Sequence, residues 1–185
     1  MKQKIIVLII LVVGFSIAGY FLVKRSRTPI HIDYGQVPVS PPRTGSTADL
    51  FSQARDSQRM SDLGTLKAAI ALYLTTVEHP KFCADKNKVY RSDVGTMAVD
   101  GTGWLPVDLN KTTGGSPLPI LPKDPINQGV LIYTYACDQN TLKFELDGVI
   151  ESQRYVSGGK DDVTSTDGGD NANLYETGTS LTLLH

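Results

Sequence analysis

Between residues 46 and 77 the chain passes from polar to apolar while keeping one helical period. Gln53-Ala54-Arg55-Asp56-Ser57-Gln58-Arg59-Met60-Ser61-Asp62 forms the polar half, and 63–74 the apolar half. Met60, Leu63, Leu66, Ile70, Tyr73 and Val77 recur at spacings of three and four, which places them on one stripe of a 3.6-residue period. Ser46 or Thr47 can supply an N-cap oxygen, Asp49 falls in the first turn where the dipole favours an anion, and Glu78-His79-Pro80 ends the run. The pattern predicts one helix of roughly 45 Å at 1.5 Å per residue, longer than the core of a small domain needs. Its polar half is therefore expected on the surface.

Downstream the period changes. Residues 81–129 are irregular and punctuated by glycine and proline, with short strands expected near Val89 and Trp104. Residues 130–137 are rich in β-branched and aromatic side chains and read as a strand, and Asp138-Gln139-Asn140 as the turn after it. Leu142, Phe144 and Leu146 then alternate with Lys143, Glu145 and Asp147, the period of a strand with one buried and one wet face. A third strand is expected over 149–156, before a polar tail, 157–172, that returns through Leu174-Tyr175. One long helix followed by short antiparallel strands is an α+β arrangement in which the sheet covers the stripe of the helix.

Ahead of this domain, residues 5–23 carry no charge and are almost wholly apolar, with Lys2 and Lys4 before them and Lys24, Arg25 and Arg27 after. That is the length of a transmembrane helix. A cleaved signal peptide is the competing reading, with small residues at Ser16-Ile17-Ala18, but its apolar core would be shorter, about 7 to 15 residues. The organisation expected is a membrane anchor over 1–23, a Pro-rich linker over 24–45 and an extracytoplasmic domain over 46–185. Pro29, Pro38, Pro41 and Pro42 make the linker a semi-rigid, extended spacer.

Charge narrows the partners. The chain has 18 basic and 19 acidic residues, and 1–28 hold five of the basic ones and none of the acidic. The remainder carries thirteen against nineteen, a balance of −6, which disfavours a nucleic-acid partner, since phosphate contacts need clustered Lys and Arg. His31, His79 and His185 are scattered, and no nucleophile constellation or phosphate loop can be read, so an enzyme is disfavoured.

Arg55-Asp56-x-x-Arg59-x-Ser61-Asp62-Leu63, an apolar run ending in Tyr73, and Pro80 resemble the spine helix of type IV pilin-like proteins, closest to the major pseudopilin of type II secretion. Leu121-Pro122-Lys123-Asp124-Pro125 followed by Tyr133-Thr134-Tyr135 resembles that family's Pro-x-Asp-Pro segment entering its first hairpin. The similar segments span roughly 48 to 180. The resemblance implies a pilin-like domain, other pilin-like subunits or secretion-system components as partners, and calcium in a C-terminal loop. The N-terminus departs from the family: Gly14-Phe15-Ser16-Ile17 only echoes its cleavage motif, inside the apolar run and with Gly19 where the family's Glu stands.

Cys83 and Cys137 are the two cysteines. Their even number in an extracytoplasmic domain favours a disulfide over two buried thiols. Closing a loop of that length would stabilise the fold by about 4 kcal/mol in the chain-entropy model. Asp161, Asp162, Asp167 and Asp170 fall within ten residues among glycines and serines. Such a loop can offer a hard cation the oxygens it needs, or can simply be solvated, and the resemblance implies calcium there.

Two functions follow. The first is a membrane-anchored structural or accessory component of a type II secretion or type IV pilus-like system, anchored in the lipid bilayer. The alternative is a tethered extracytoplasmic binding module with a pilin-like fold that does not polymerise.

Overall fold

The protein is described here by a computed structural model that covers residues 46–86 and 88–184. The expected anchor and the whole of the expected linker lie outside the described residues. Among the described residues no helix is long and apolar enough to cross a membrane.

The long helix is present as α1, Thr47–Thr76, with Ser46 as its N-cap and the Ser46 side chain accepting from the Asp49 amide. Leu63, Leu66, Ile70 and Tyr73 are fully or almost fully buried. Met60 and Val77, at the ends of the expected stripe, are only partly buried. The polar half lies on the surface as its composition suggests except at Asp56 and Arg59, which have no exposure at all.

Against α1 lies an antiparallel sheet of four strands, β1 (Tyr90–Arg91), β2 (Tyr133–Asp138), β3 (Lys143–Val149) and β4 (Leu174–Gly178), in the order β1-β2-β3-β4. The fold is thus α+β, one long helix packed on a small sheet. Phe144 and Leu146 turn to the helix, and Gly148 lets Leu63 approach: a Cβ there would stand 3.0 Å from Leu63 Cδ1. The irregular stretch supplies core as well, with Phe82, Trp104, Leu105, Val107, Leu109 and Leu121 all buried. Trp104 Nε1 donates to the Pro122 carbonyl at 2.9 Å. A disulfide joins Cys83 to Cys137 across a Cα separation of 5.5 Å and ties this stretch to β2.

The sheet differs from its sequence pattern in three places. Leu142 is not in the strand; it ends the β2–β3 turn with φ 54° and is exposed. The expected strand over 149–156 does not form, and the third long strand is β4. The face expected to be wet is covered. Glu145, Asp147 and Val149, on the side of β3 away from the helix, are all fully buried. Alternation reports two faces of unlike chemistry, but it cannot report that a later segment folds over the polar one.

Candidate functional site

Two groups of carboxylates are buried on this framework. The first surrounds Arg59. Its guanidinium grips Asp124 with two bonds, Nε to Oδ2 at 2.6 Å and Nη2 to Oδ1 at 3.1 Å. Nη1 reaches Asp56 Oδ1 at 2.8 Å and Glu151 Oε1 at 2.5 Å. Arg55 adds a second pair of bonds to Glu151, at 2.8 and 2.7 Å. Backbone amides complete the shell: those of Glu151 and Ser152 donate to Asp56, and those of Ile126 and Asn127 to Asp124. Burial alone would lower the pKa of Arg59, but the hydrogen bonds and charges of Asp124 and Glu151 outweigh it and hold the value above the ordinary one. Burial would likewise raise Glu151, yet the bonds from Arg55 and Arg59 leave it below the usual carboxylate range. This network is satisfied and pins the polar half of α1 to the loops after β3 and before β2.

The second group lies where β3 and β4 pair. Glu145 of β3, Glu176 of β4 and Asp170 of the preceding loop bring one carboxylate oxygen each within 4.8 Å of one another. Glu145 and Glu176 are buried and Asp170 is exposed. Glu145 Oε2 accepts from the amides of Leu183 and Leu184, at 2.5 and 2.9 Å. Glu176 Oε2 accepts from the Asn171 amide at 2.9 Å. The other oxygen of each, Oε1, is buried with no hydrogen-bond partner. Among the described residues no Lys or Arg pairs with either glutamate.

The backbone closes tightly over this site. A Cβ at Gly169 would lie 2.0 Å from Glu176 Oε2, so a side chain there would have to push the carboxylate from its place. Burial first, and the neighbouring Glu176 carboxyl next, push Glu145 up to about 8, while the Leu183 and Leu184 amides act the other way. Glu176 is also raised, first by burial and then by Asp167 and Asp170. At neutral pH the pair therefore retains a proton. Two buried, unpartnered carboxylate oxygens beside a third carboxylate form a group that could bind a metal ion.

The four aspartates expected to act together have different partners. Asp161 pairs with Arg154. Asp162 caps its own loop, accepting from the Gly158 and Ser165 amides at 2.7 and 3.0 Å and from the Ser165 hydroxyl at 2.6 Å. Asp167 accepts from the Gly169 and Glu176 amides, at 2.9 and 2.7 Å, and so ties the loop to β4. Asp170 is the one that joins the buried group. Sequence reasoning missed Glu145 and Glu176, which it assigned to a wet face and to no site. A signal was present in Val149 and Leu174, apolar residues that continue the supposedly wet side of the sheet.

Compared with known proteins, the chain matches no family model, no curated protein and no solved structure.

Proposed function

We propose that the protein is a membrane-anchored, pilin-like structural or accessory component of a type II secretion or type IV pilus-like assembly. The observation that carries this reading is a 30-residue helix laid along a small antiparallel sheet, with an apolar run of spanning length ahead of it in the chain. The disulfide supports a location outside the cytoplasm, where such bonds persist. The elements quoted for the resemblance also meet in space: Arg59 of the spine motif is clamped by Asp124 of the Leu-Pro-Lys-Asp-Pro segment. One observation favours the tethered module instead, namely the four prolines at 29, 38, 41 and 42, which uncouple spine from anchor.

Mass spectrometry of the native N-terminus, combined with in-cell cross-linking, separates the two. A start at Phe15 with a ladder of cross-linked copies supports the assembly component. An intact Met1 on a chain that cross-links to no copy of itself contradicts it in favour of the tethered module.

In this reading the cofactor is a hard divalent cation, calcium by its oxygen donors, held by Glu145, Glu176 and Asp170. The fit rests on the two orphaned buried oxygens, which a cation would satisfy without a proton. Its contribution would be structural, joining β3, β4 and the loop before β4, while Glu145 Oε2 keeps the chain end at Leu183 and Leu184 against the sheet.

A further inference from the structure

Where α1 ends and the β2–β3 hairpin turns, the surface opens into a cleft of about 620 Å³. Ligand sites are typically about 300 to 1,000 Å³ and mostly apolar, with a few placed polar groups. Pro80, Ala84, Pro106 and Leu142 give this cleft its apolar lining. Its ionisable lining residues are Lys81 and His79, with no Asp or Glu among them. That is the reverse of the domain's acidic balance. Neither residue forms an ion pair among the described residues.

The walls are fixed by contacts of the protein with itself. Gln139 Nε2 donates to the Pro80 carbonyl at 2.7 Å, and its Oε1 accepts from the Phe82 amide at 3.2 Å. The Tyr73 hydroxyl holds Lys81 through both backbone groups, at 3.0 and 3.1 Å. The disulfide anchors Cys83, itself a lining residue, to β2. Leu142 is one of two non-glycine residues with positive φ among the described residues. A bulky side chain is disfavoured in that region, and such outliers concentrate at ligand clamps. Here the unusual backbone places a leucine that is 44% exposed at the edge of an apolar cleft.

We propose that this cleft binds a small amphipathic anion, an aryl or short acyl carboxylate whose apolar body lies on Pro80, Ala84, Pro106 and Leu142 and whose carboxylate meets Lys81 and His79. The match is of shape and charge together: an apolar floor excludes a fully hydrated ion, and the Lys81 ammonium, with His79 beside it as a hydrogen-bonding group and no carboxylate in the lining, selects an anion over a neutral molecule of the same shape. The inference is independent of the pilin-like reading and of the cation site.

Saturation-transfer difference NMR on the full chain in lipid nanodiscs tests it, with 3-phenylpropionate as probe, 3-phenylpropionamide as neutral control, and the signal of empty nanodiscs subtracted. The acid is expected to bind about tenfold or more tightly than the amide, a difference of about 1.4 kcal/mol. Lys81→Glu should remove that preference. Leu142→Gly, which suits the backbone while deleting the apolar edge, should weaken binding of the acid several-fold with the domain still folded by circular dichroism. No transfer to the acid, equal binding of acid and amide, or acid binding unchanged by either substitution overturns the proposal.

Discussion

The two buried carboxylate groups of this domain differ in how their charge is met, and the difference separates scaffold from site. Asp56, Asp124 and Glu151 enclose Arg59, Arg55 adds a second clamp on Glu151, and backbone amides complete oxygens that the guanidinia leave. Glu145 and Glu176 have amides on one oxygen each and, for the other, only the proton that the pair retains between them. The first group holds a fold together. The second is an incomplete shell, and an incomplete buried shell is costly unless a proton or a cation completes it.

The sharpest way to break the comparison is to remove the cation of the first group. Arg59→Ala leaves buried carboxylates without their partner, a change that typically costs 3 to 5 kcal/mol. Leu66→Ala, the reference for the apolar stripe, is expected in the range of 2 to 5 kcal/mol. Chemical denaturation should therefore place Arg59→Ala at least level with Leu66→Ala. The sequence pattern alone predicts the opposite order, because it puts the polar half of α1 on the surface. A near-silent Arg59→Ala would mean that the network is not the clamp described.

The second group should respond to ions where the first does not. Calcium at a hundredfold excess over its dissociation constant should stabilise the protein by about 2.7 kcal/mol. A chelator should reverse the gain in melting temperature. Glu145→Gln should abolish this response while leaving the stability of the calcium-free protein at neutral pH nearly unchanged, since an amide can donate to a Glu176 oxygen as the proton retained by the pair does. Loss of stability without calcium would instead make Glu145 a purely structural acceptor for Leu183 and Leu184.

Acidity distinguishes the groups by sign. Glu151 is held below its ordinary value, so its contribution is present above the unfolded carboxylate range and is lost as pH falls through its folded value. Glu145 is pushed up to about 8, so in calcium-free protein its contribution is fully present below the unfolded value and is lost as pH rises through about 8. Because calcium needs the ionised form, its stabilising effect should be larger at pH 8.5 than at pH 5.5. Melting curves at the two values, with and without calcium, check both slopes.

Much of the scaffold was legible because it is periodic. Leu63, Leu66, Ile70 and Tyr73 share a stripe, Ser46 caps, and Phe144 and Leu146 alternate, all features that local geometry writes into the sequence. The polar clamp was not legible from pattern, since Arg59 and Asp124 are 65 residues apart and each reads alone as a solvated charge. The acid site was hidden for a related reason. Glu145 follows the rule of an exposed strand position, and only the chain after β3, folding back over the sheet, turns that position inward. The four loop aspartates stand out by density; in the fold Asp161 meets Arg154, Asp162 and Asp167 meet nearby amides and a hydroxyl, and Asp170 stands beside the two glutamates.

The central claim, that Glu145, Glu176 and Asp170 form a hard-cation site, is tested most directly by calorimetric titration of calcium into chelator-stripped protein. One equivalent should bind to the wild type, be lost with Glu145→Gln and with Glu176→Gln, and persist with Asp161→Asn. The absence of binding heat at several temperatures, or binding that survives both glutamate substitutions and disappears with Asp161→Asn, would contradict it.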